Sequence, residues 1–419
     1  MHEKIVLPNG VRVLIEKVPY VRSVAAGIWV GNGSRNETAA ENGASHFIEH
    51  MAFKGTDKYT AAQLASEMDG IGGQINAFTT KECTCFYGHV LDTHLGKLLE
   101  LLSDMLLNSK FSDEDIINER GVIYEEIDMY EDSPEDLVTE MLFEKVYSSS
   151  PLGFPILGTK ESLKPMNHES LTGYMKGHYS PDRIVVSVSG NFSDENIEYI
   201  KERFSAIPAV KAPDVLPASY TESFITKEKQ IEQNHICFAF PGIALLDKRR
   251  YELQILTTIL GGGMSSRLFQ TIREKYGLCY TVYSFNSSHS DVGALGIYTA
   301  LSDEAEKKAI EMIIDEIKKF KDDGITSDEL ERAREQAKSN ILMGLESTST
   351  RMSRLGKNEL TFGFVKSVEE TVEAYDNVTV SDVITLSREL MDFERISFSA
   401  VGNIKTADEY KEAIIALTK

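Results

Sequence analysis

The chain has 419 residues, of which 42% are hydrophobic and 26% charged, and this is the composition of a soluble globular protein. Its length exceeds that of one ordinary hydrophobic core and predicts two domains of about 200 residues each. The formal net charge of −21 argues against nucleic acid and anionic membranes as partners. It favours cationic or neutral partners, although an acidic surface that only keeps the protein soluble explains the charge equally well.

No stretch of eighteen consecutive apolar residues occurs, so the sequence predicts no membrane-spanning segment and no membrane partner. The first ten residues lack the basic region and apolar core of a signal peptide, and we therefore expect a cytoplasmic location. None of the cysteines forms a Cys-x-x-Cys pair, which favours reduced, mostly buried thiols. The four are Cys83, Cys85, Cys237 and Cys279.

Strand and helix patterns alternate along the first half of the chain. Strands are predicted at 11–15, 23–30, 74–80, 84–90 and 183–192, and helices around His46 and at 60–69, 93–107 and 112–127. Thr60 and Ser112 are typical N-cap residues, and acidic residues follow Ser112 in the first turn of its helix.

The second half of the chain repeats much of the first. Residues 395–404 repeat the strand pattern of 183–192, and Ser327 opens a long helix as Ser112 does. The sequence therefore predicts an α+β fold of two homologous sheet-and-helix domains from an internal duplication. We place them at residues 1–207 and 221–419, joined by a proline-bearing linker at 208–220.

One short stretch, His46-Phe47-Ile48-Glu49-His50, carries the chemistry. On a helix, His46 and His50 lie one turn apart on the same face, so both imidazoles can reach one ion, and Glu49 projects close to that face. Two imidazoles beside a carboxylate form the arrangement of a zinc hydrolase with two ligands and a general base. The alternative is an amphipathic helix with two solvated histidines.

The duplication supplies an internal control for that alternative. Near the corresponding place in the second half, residues 253–260 keep the apolar pattern of the helix but have no metal ligands. The helix therefore does not need histidines in order to fold, which weakens a purely structural explanation of His46 and His50.

A catalytic zinc ion needs a third protein ligand from another element. On the helix predicted at 112–127, Glu119 and Glu126 lie on one face, two turns apart, whereas Glu125 points away. Glu126 would complete the ligand set and leave one position open, and Glu119 would support the site. An ordinary solvated acidic face remains the alternative.

These motifs resemble those of the pitrilysin-type inverzincin zinc peptidases, the superfamily of insulysin and mitochondrial processing peptidase. Residues 43–56 follow the family pattern Gly-x-x-His-x-x-Glu-His-Met-x-Phe-Lys-Gly-Thr, and Glu119 and Glu126 stand at the family's spacing. Arg273 and Tyr280 match an Arg and a Tyr that the family carries seven residues apart. The resemblance covers nearly the whole chain and is closest to the two-domain, homodimeric bacterial branch.

The resemblance implies one Zn²⁺ per subunit held by His46, His50 and Glu126, with Glu49 as the base and Glu119 in support. It also implies that Tyr280 stabilises the oxyanion and that Arg273 holds substrate carbonyl oxygens, although by residue type alone the two could be a surface cation and a core ring. In the family, the strand matched by Asn76, Ala77, Phe78 and Thr79 adds the substrate as an extra strand. The alternative is that Asn76 and Thr79 only fix a turn.

Because longer family members fuse two such halves around a chamber, the resemblance further implies a homodimer with composite active sites. The expected function is a zinc-dependent endopeptidase that hydrolyses unfolded peptides in a closed chamber. The alternatives are a non-catalytic peptide-binding or scaffold subunit of a processing-peptidase-like complex, and a different zinc hydrolase such as an amidase.

Overall fold

The computed structural model describes residues 2–419, which form two compact units, each assembled from three separate stretches of chain. The first compact unit contains the residues up to Ile127, Phe154–Leu216 and Leu342–Ser367. The second compact unit contains Asp128–Gly153, Pro217–Ile341 and Val368–Lys419.

Helices and strands follow in a mixed order along the chain. The strands are β1 Glu3–Val6, β2 Arg12–Lys17, β3 Ser23–Val30, β4 Gln74–Thr79, β5 Thr84–Leu91, β6 Ile184–Gly190, β7 Phe224–Glu228, β8 Asn234–Pro241, β9 Cys279–Ser288, β10 Gly293–Leu301 and β11 Ser397–Gly402. The α-helices are α1 Ala44–Met51, α2 Ala61–Gly70, α3 Leu95–Asn108, α4 Asp113–Asp132, α5 Pro134–Val146, α6 Lys160–Leu163, α7 His168–His178, α8 Asp194–Ser205, α9 Arg250–Gly261, α10 Asp303–Asp322, α11 Ser327–Gly344, α12 Thr348–Phe362, α13 Val368–Asp376, α14 Val380–Leu390 and α15 Ala407–Thr418. A π-helix spans Phe269–Lys275.

Each compact unit is built on one sheet, and the two sheets have the same topology. The six-stranded sheet has the order β1-β2-β6-β3-β5-β4, and the five-stranded sheet has the order β7-β11-β8-β10-β9. In both sheets the first pair of the shared pattern is parallel, β2 with β6 and β7 with β11, and the following pairs are antiparallel. The predicted α+β fold of two homologous units is confirmed, and β1 is an addition to the first.

Apolar side chains on one face of each sheet pack against helices. Strand β3 is buried along almost its whole length, and α3 buries most of its leucines against β5 and β3. In the second compact unit, α9 follows β8 as α1 follows β3, and its apolar residues lie in the core without metal ligands. The helix predicted at 253–260 is therefore present, and it ends at Gly261.

Each unit takes one helix from the opposite half of the sequence. Helix α12 packs on β3 and β6 of the first unit, where Trp29 Nε1 donates to Ser187 Oγ at 2.9 Å. A Cβ on Gly356 of α12 would lie 2.0 Å from Trp29 Nε1, so only glycine allows this approach. Helix α5 packs on β11 and β8 of the second unit, where Ser399 Oγ donates to the Val138 carbonyl at 2.7 Å.

Because of this exchange, α5 and α12 fall in compact units other than those of their sequence neighbours. The boundaries 1–207, 208–220 and 221–419 describe the two sequence repeats and the linker between them, and they stay a prediction.

Within residues 2–419, no helix combines the length and the apolar character required to cross a membrane. All four cysteines are free; Cys85 and Cys237 are buried, whereas Cys83 and Cys279 are half-buried.

Candidate metal centre

Helix α1 presents two histidines from a short, otherwise apolar element. Phe47, Ile48 and Met51 are buried in the core of the first unit, which leaves His46 and His50 on the opposite face. Their ring centroids are 4.6 Å apart. The one-turn spacing in the sequence therefore becomes a pair of adjacent imidazoles, as the pattern predicts.

The start of α1 depends on a glycine. Gly43 has a φ of 95° at the N-cap position, a conformation that L side chains rarely adopt. A Cβ there would lie 2.8 Å from the Leu157 carbonyl oxygen and 2.9 Å from Gly158 Cα, so the chain can enter the helix only without a side chain. Gly43 consequently supplies no side-chain cap for the helix that carries both histidines.

Helix α4 brings a carboxylate to the two imidazoles. Glu126 Oε2 lies 3.7 Å from His46 Nε2 and 3.4 Å from His50 Nε2. The donor atoms of one tetrahedral zinc site lie about 3.3 Å apart, given zinc–nitrogen distances near 2.0–2.1 Å. Within residues 2–419, these three side chains form the one group of three or more His, Cys, Asp or Glu residues arranged to hold a metal ion.

Two further observations fit a metal ion at this position. Glu126 Oε2 is buried and has no hydrogen-bond partner among the residues that the structure describes, although two imidazole nitrogens face it. Burial, together with the neighbouring His50, lowers the pKa of His46 to about 3. His46 is therefore neutral at pH 7, which is the protonation state that a metal ligand requires.

The imidazole of His50 is held from behind by an acidic residue. His50 Nδ1 lies 2.9 Å from Glu119 Oε2, and Glu119 Oε1 lies 2.5 Å from Lys54 Nζ. Glu119 is 5% exposed, so Lys54 compensates a carboxylate that has little contact with water. A carboxylate on the second ring nitrogen orients the ring and raises its basicity as a ligand. Glu125, by contrast, is exposed.

Glu49 lies on the same helix and is held by a strand. The Thr79 hydroxyl donates to Glu49 Oε2 at 2.6 Å. Burial raises the pKa of Glu49 above its ordinary value, and the hydrogen bond from Thr79 offsets part of this effect. A carboxylate with a raised pKa is better matched to proton transfer near neutral pH than an exposed one.

Strand β4, which contains Asn76, Ala77, Phe78 and Thr79, is an edge of its sheet. In the turn after it, the Thr80 N–H donates to the Cys83 carbonyl at 2.7 Å, so this pair is hydrogen-bonded. In an antiparallel ladder, hydrogen-bonded pairs recur at every second residue. Phe78 and Asn76 therefore bond to β5, whereas Ala77 and Thr79 direct their main-chain groups to the open edge. Asn76 Oδ1 accepts a hydrogen bond from the Ala77 N–H at 2.9 Å.

Arg273 and Tyr280 lie together in the second compact unit. The Arg273 guanidinium carbon is 4.5 Å from the centroid of the Tyr280 ring and 4.7 Å from that of Phe269. Tyr280 is 76% exposed at the start of β9, an edge strand, so it is not the core ring that its residue type allowed. The stacked arginine orients this exposed phenol.

Sequence reasoning assigned no role to Lys54 and did not consider Glu37. Glu37 is buried and accepts hydrogen bonds from the start of α1, although it lies in a loop before the helix. Neither helical nor strand spacing could have identified it, because both periodicities act within one element. The bond from Thr79 to Glu49 was likewise missed, since Thr79 was considered only with the substrate strand.

The order of the two sheets and the His46, His50 and Glu126 cluster define a candidate metallopeptidase fold. Residues 12–160 match the family described as Insulinase (Peptidase family M16), and residues 165–337 match the one described as Peptidase M16 inactive domain. The chain belongs to peptidase family M16. The second match falls mostly on the half whose helix α9 has no metal ligands.

Two similar proteins agree with this assignment, and one solved structure shares the fold. The chain is 44% identical over 399 residues to the "uncharacterized zinc protease YmxG" of Bacillus subtilis, covering 94% of this chain and 98% of that protein. An "uncharacterized zinc protease" of Streptomyces coelicolor is 38% identical over 409 residues, covering 95% of this chain and 89% of that one. The crystal structure of a Helicobacter pylori protease has a TM-score of 0.87 at 21% identity, covering 96% of this chain and 99% of that one.

Proposed function

We propose that this protein is a zinc-dependent endopeptidase that hydrolyses unfolded peptides. The observation that carries the proposal is the convergence of His46, His50 and Glu126 from two helices, with Glu49 beside them. The relatives named zinc proteases support the same activity. His46, His50 and Glu126 would hold the ion, with Glu119 behind His50.

A bound Zn²⁺ supplies Lewis-acid chemistry, since it lowers the pKa of water and polarises a carbonyl oxygen. The chain's own residues then handle the proton. Glu49 accepts a proton from the attacking water and returns it to the nitrogen of the leaving amine. Thr79, by donating to Glu49 Oε2, keeps one carboxylate oxygen in place and leaves the other for this proton.

The open edge of β4 suits an extended peptide. The main-chain groups of Ala77 and Thr79 face that edge, and Thr79 also contacts Glu49, so a strand paired there would run beside the base. Main-chain pairing makes little demand on sequence, and only unfolded segments can adopt it. We expect folded proteins to be poor substrates for this reason.

Arg273 and Tyr280 are the residues that the second half of the chain would contribute to the active site. Two copies of the chain would form a homodimer. The second half of one subunit would supply these two residues to the metal centre of the other, and the peptide would be enclosed in a chamber. Tyr280 would donate to the developing oxyanion, and Arg273 would hold a substrate carbonyl oxygen. The exposure of Tyr280 and its stacking against Arg273 support this role.

The test is hydrolysis of a quenched, unstructured peptide by the full-length chain with added Zn²⁺. We expect Glu49→Gln to lower kcat by about 10²- to 10⁴-fold while Zn²⁺ remains bound, because the base is lost and the ligands are kept. Glu125→Gln, at an exposed position beside Glu126, is the matched control and should retain activity.

Undiminished hydrolysis by Glu49→Gln would contradict the role of Glu49. A wild-type protein that binds peptides but neither holds Zn²⁺ nor cleaves them would instead be the non-catalytic subunit.

A further inference from the structure

Glu37 is a buried carboxylate that the proposed chemistry does not use. It is 1% exposed and lies just after a short 3-10 turn, before α1. Its Oε2 accepts hydrogen bonds from the Gly43 N–H at 2.8 Å and from Asn42 Nδ2 at 3.1 Å. Its Oε1 accepts one from the Ser45 N–H at 2.8 Å. A single side chain thus receives three donors, all from the entry to α1.

This arrangement replaces a cap that the helix cannot provide itself. The first amides of a helix have no partner within the helix, and Gly43 has no side chain to offer one. A carboxylate at this end also meets the positive end of the helix dipole. Glu37 therefore holds the chain at the entry to α1, and Ser45, whose amide it accepts, is the residue immediately before His46.

The two histidines are held in different ways, and this difference gives Glu37 its importance. His50 has Glu119 on its second ring nitrogen, at 2.9 Å. The equivalent atom of His46, Nδ1, is buried and has no hydrogen-bond partner in residues 2–419. The position of His46 consequently depends on the backbone that carries it rather than on a partner to its ring.

The side chains of Ser45 and Asn42 form further hydrogen bonds that hold the entry to α1. Ser45 Oγ lies 3.2 Å from the Tyr174 hydroxyl and accepts a hydrogen bond from Asn32 Nδ2 at 3.2 Å. Asn42 Nδ2 also donates to the Pro155 carbonyl at 2.9 Å. The entry to α1 is thereby tied to α7 and to the loop before α6, and Glu37 is the one acidic side chain among these contacts.

We propose that Glu37 is a positioning residue for the metal centre: by holding the Gly43 and Ser45 amides, it sets the position of His46 relative to His50 and Glu126. This inference rests on the proposed zinc peptidase function. Glu37 itself touches neither the ligand atoms nor the substrate strand in the contacts described above. Its loss should weaken metal binding through His46 rather than remove a ligand.

The experiment measures the dissociation constant of Zn²⁺ for the full-length chain, by competition with a chromophoric chelator. In Glu37→Gln the amide nitrogen replaces one acceptor oxygen, so at least one backbone donor of α1 loses its partner. We expect the dissociation constant to rise about 10- to 100-fold, as for other residues that orient a ligand. With Co²⁺ in place of Zn²⁺, the visible absorption bands should shift, because the geometry of the ligands changes.

Glu306→Gln is the matched control. Glu306 is also a buried carboxylate, in the second compact unit, and accepts hydrogen bonds from Asn234 Nδ2 at 2.6 Å and from the Tyr410 hydroxyl at 2.8 Å. The same chemical change there should lower the melting temperature of the metal-free protein and leave the Zn²⁺ dissociation constant unchanged.

A folded Glu37→Gln variant with wild-type Zn²⁺ affinity would overturn the inference, as would an equal loss of affinity in Glu306→Gln. If Glu37→Gln does not fold, Glu37→Asp decides, because it keeps the charge but withdraws it from the two amides; unchanged affinity in that variant would also overturn the inference. Failure of the proposed function is distinguishable, since the wild-type chain would then neither bind Zn²⁺ nor cleave peptide.

Discussion

At the scale of single residues, burial and hydrogen bonding give the carboxylates of the candidate centre different properties. Glu119 has a cation beside it and orients His50, Glu49 has a hydroxyl donor and a raised pKa, and Glu126 keeps an unpartnered oxygen between two imidazoles. In the proposed function the same functional group would serve as a support, a base and a ligand because its surroundings differ.

Glu37 adds a prediction about stability and pH. Burial raises its pKa from an ordinary 4.5 to about 7, although hydrogen bonds from Ser45, Gly43 and Asn42 oppose this effect. The folded state therefore binds the Glu37 proton more tightly than the unfolded state does. The resulting stability is fully present below pH 4.5 and is lost as the pH rises towards 7, and its size is of order 3 kcal/mol.

Because Gln does not titrate, the difference between wild type and Glu37→Gln isolates this effect. We expect the free energy of unfolding of the metal-free wild type, relative to the variant, to fall between pH 4.5 and 7 in urea titrations. The titratable groups coupled to Glu37 include Tyr174 and Tyr179, whose pKa values burial raises, so both remain neutral in this range. A difference that does not change with pH would contradict the prediction.

At the scale of secondary-structure elements, the proposed binding of a peptide to β4 depends on which main-chain groups of that strand face the open edge. Ala77 directs its N–H to the open edge, where Asn76 Oδ1 accepts it and a bound peptide would take that place, whereas Phe78 bonds to β5. Proline is tolerated on an edge strand where its missing N–H would have faced outward. A proline scan of β4 can therefore separate substrate binding from sheet stability.

We predict that Ala77→Pro keeps the melting temperature of the metal-free protein near that of wild type and lowers kcat/KM about 3- to 10-fold. The loss corresponds to one main-chain hydrogen bond to the peptide. Phe78→Pro, which removes a bond to β5, should lower the melting temperature instead. If the two variants behave in the opposite way, the register assigned to the edge is wrong.

At the scale of the whole molecule, the exchange of α5 and α12 makes each compact unit depend on both halves of the sequence. The proposed metal ligands all belong to the first unit, and Arg273 and Tyr280 belong to the second. The proposed homodimer joins these two sets of residues across subunits. This arrangement predicts that a mixed dimer of two variants, each defective in a different part of the site, contains one complete site.

We predict that Glu49→Gln and the double variant Arg273→Ala/Tyr280→Phe, each inactive alone, regain about a quarter of wild-type activity when they are mixed, unfolded and refolded together. Random pairing makes half of the dimers mixed, and each mixed dimer has one complete site if the site is composite. The measurement is peptide hydrolysis, with the mass of the refolded species determined by light scattering. No activity above that of the separate variants would contradict a composite site.

The sequence by itself determined what acts within one element or recurs along the chain. The helix pitch alone makes His46 and His50 neighbours, and the repeated patterns at 112 and 327 and at 183 and 395 indicated two homologous units. The sequence determined less about Glu126. Its side of the helix could be predicted, but an ordinary solvated acidic face gives the same spacing. Only the packing of α4 brings its oxygen to 3.4 Å from His50 Nε2.

Only the tertiary structure decided the rest, because it depends on how distant elements pack. No repeating sequence pattern indicates three of these features: the exchange of α5 and α12, the outward direction of the Ala77 main chain and the hydrogen bonds of Glu37. Periodicity reports which side of an element faces the core, since that property repeats with the geometry of the element itself. It does not report which loop carboxylate reaches the start of a helix, because that contact is made once.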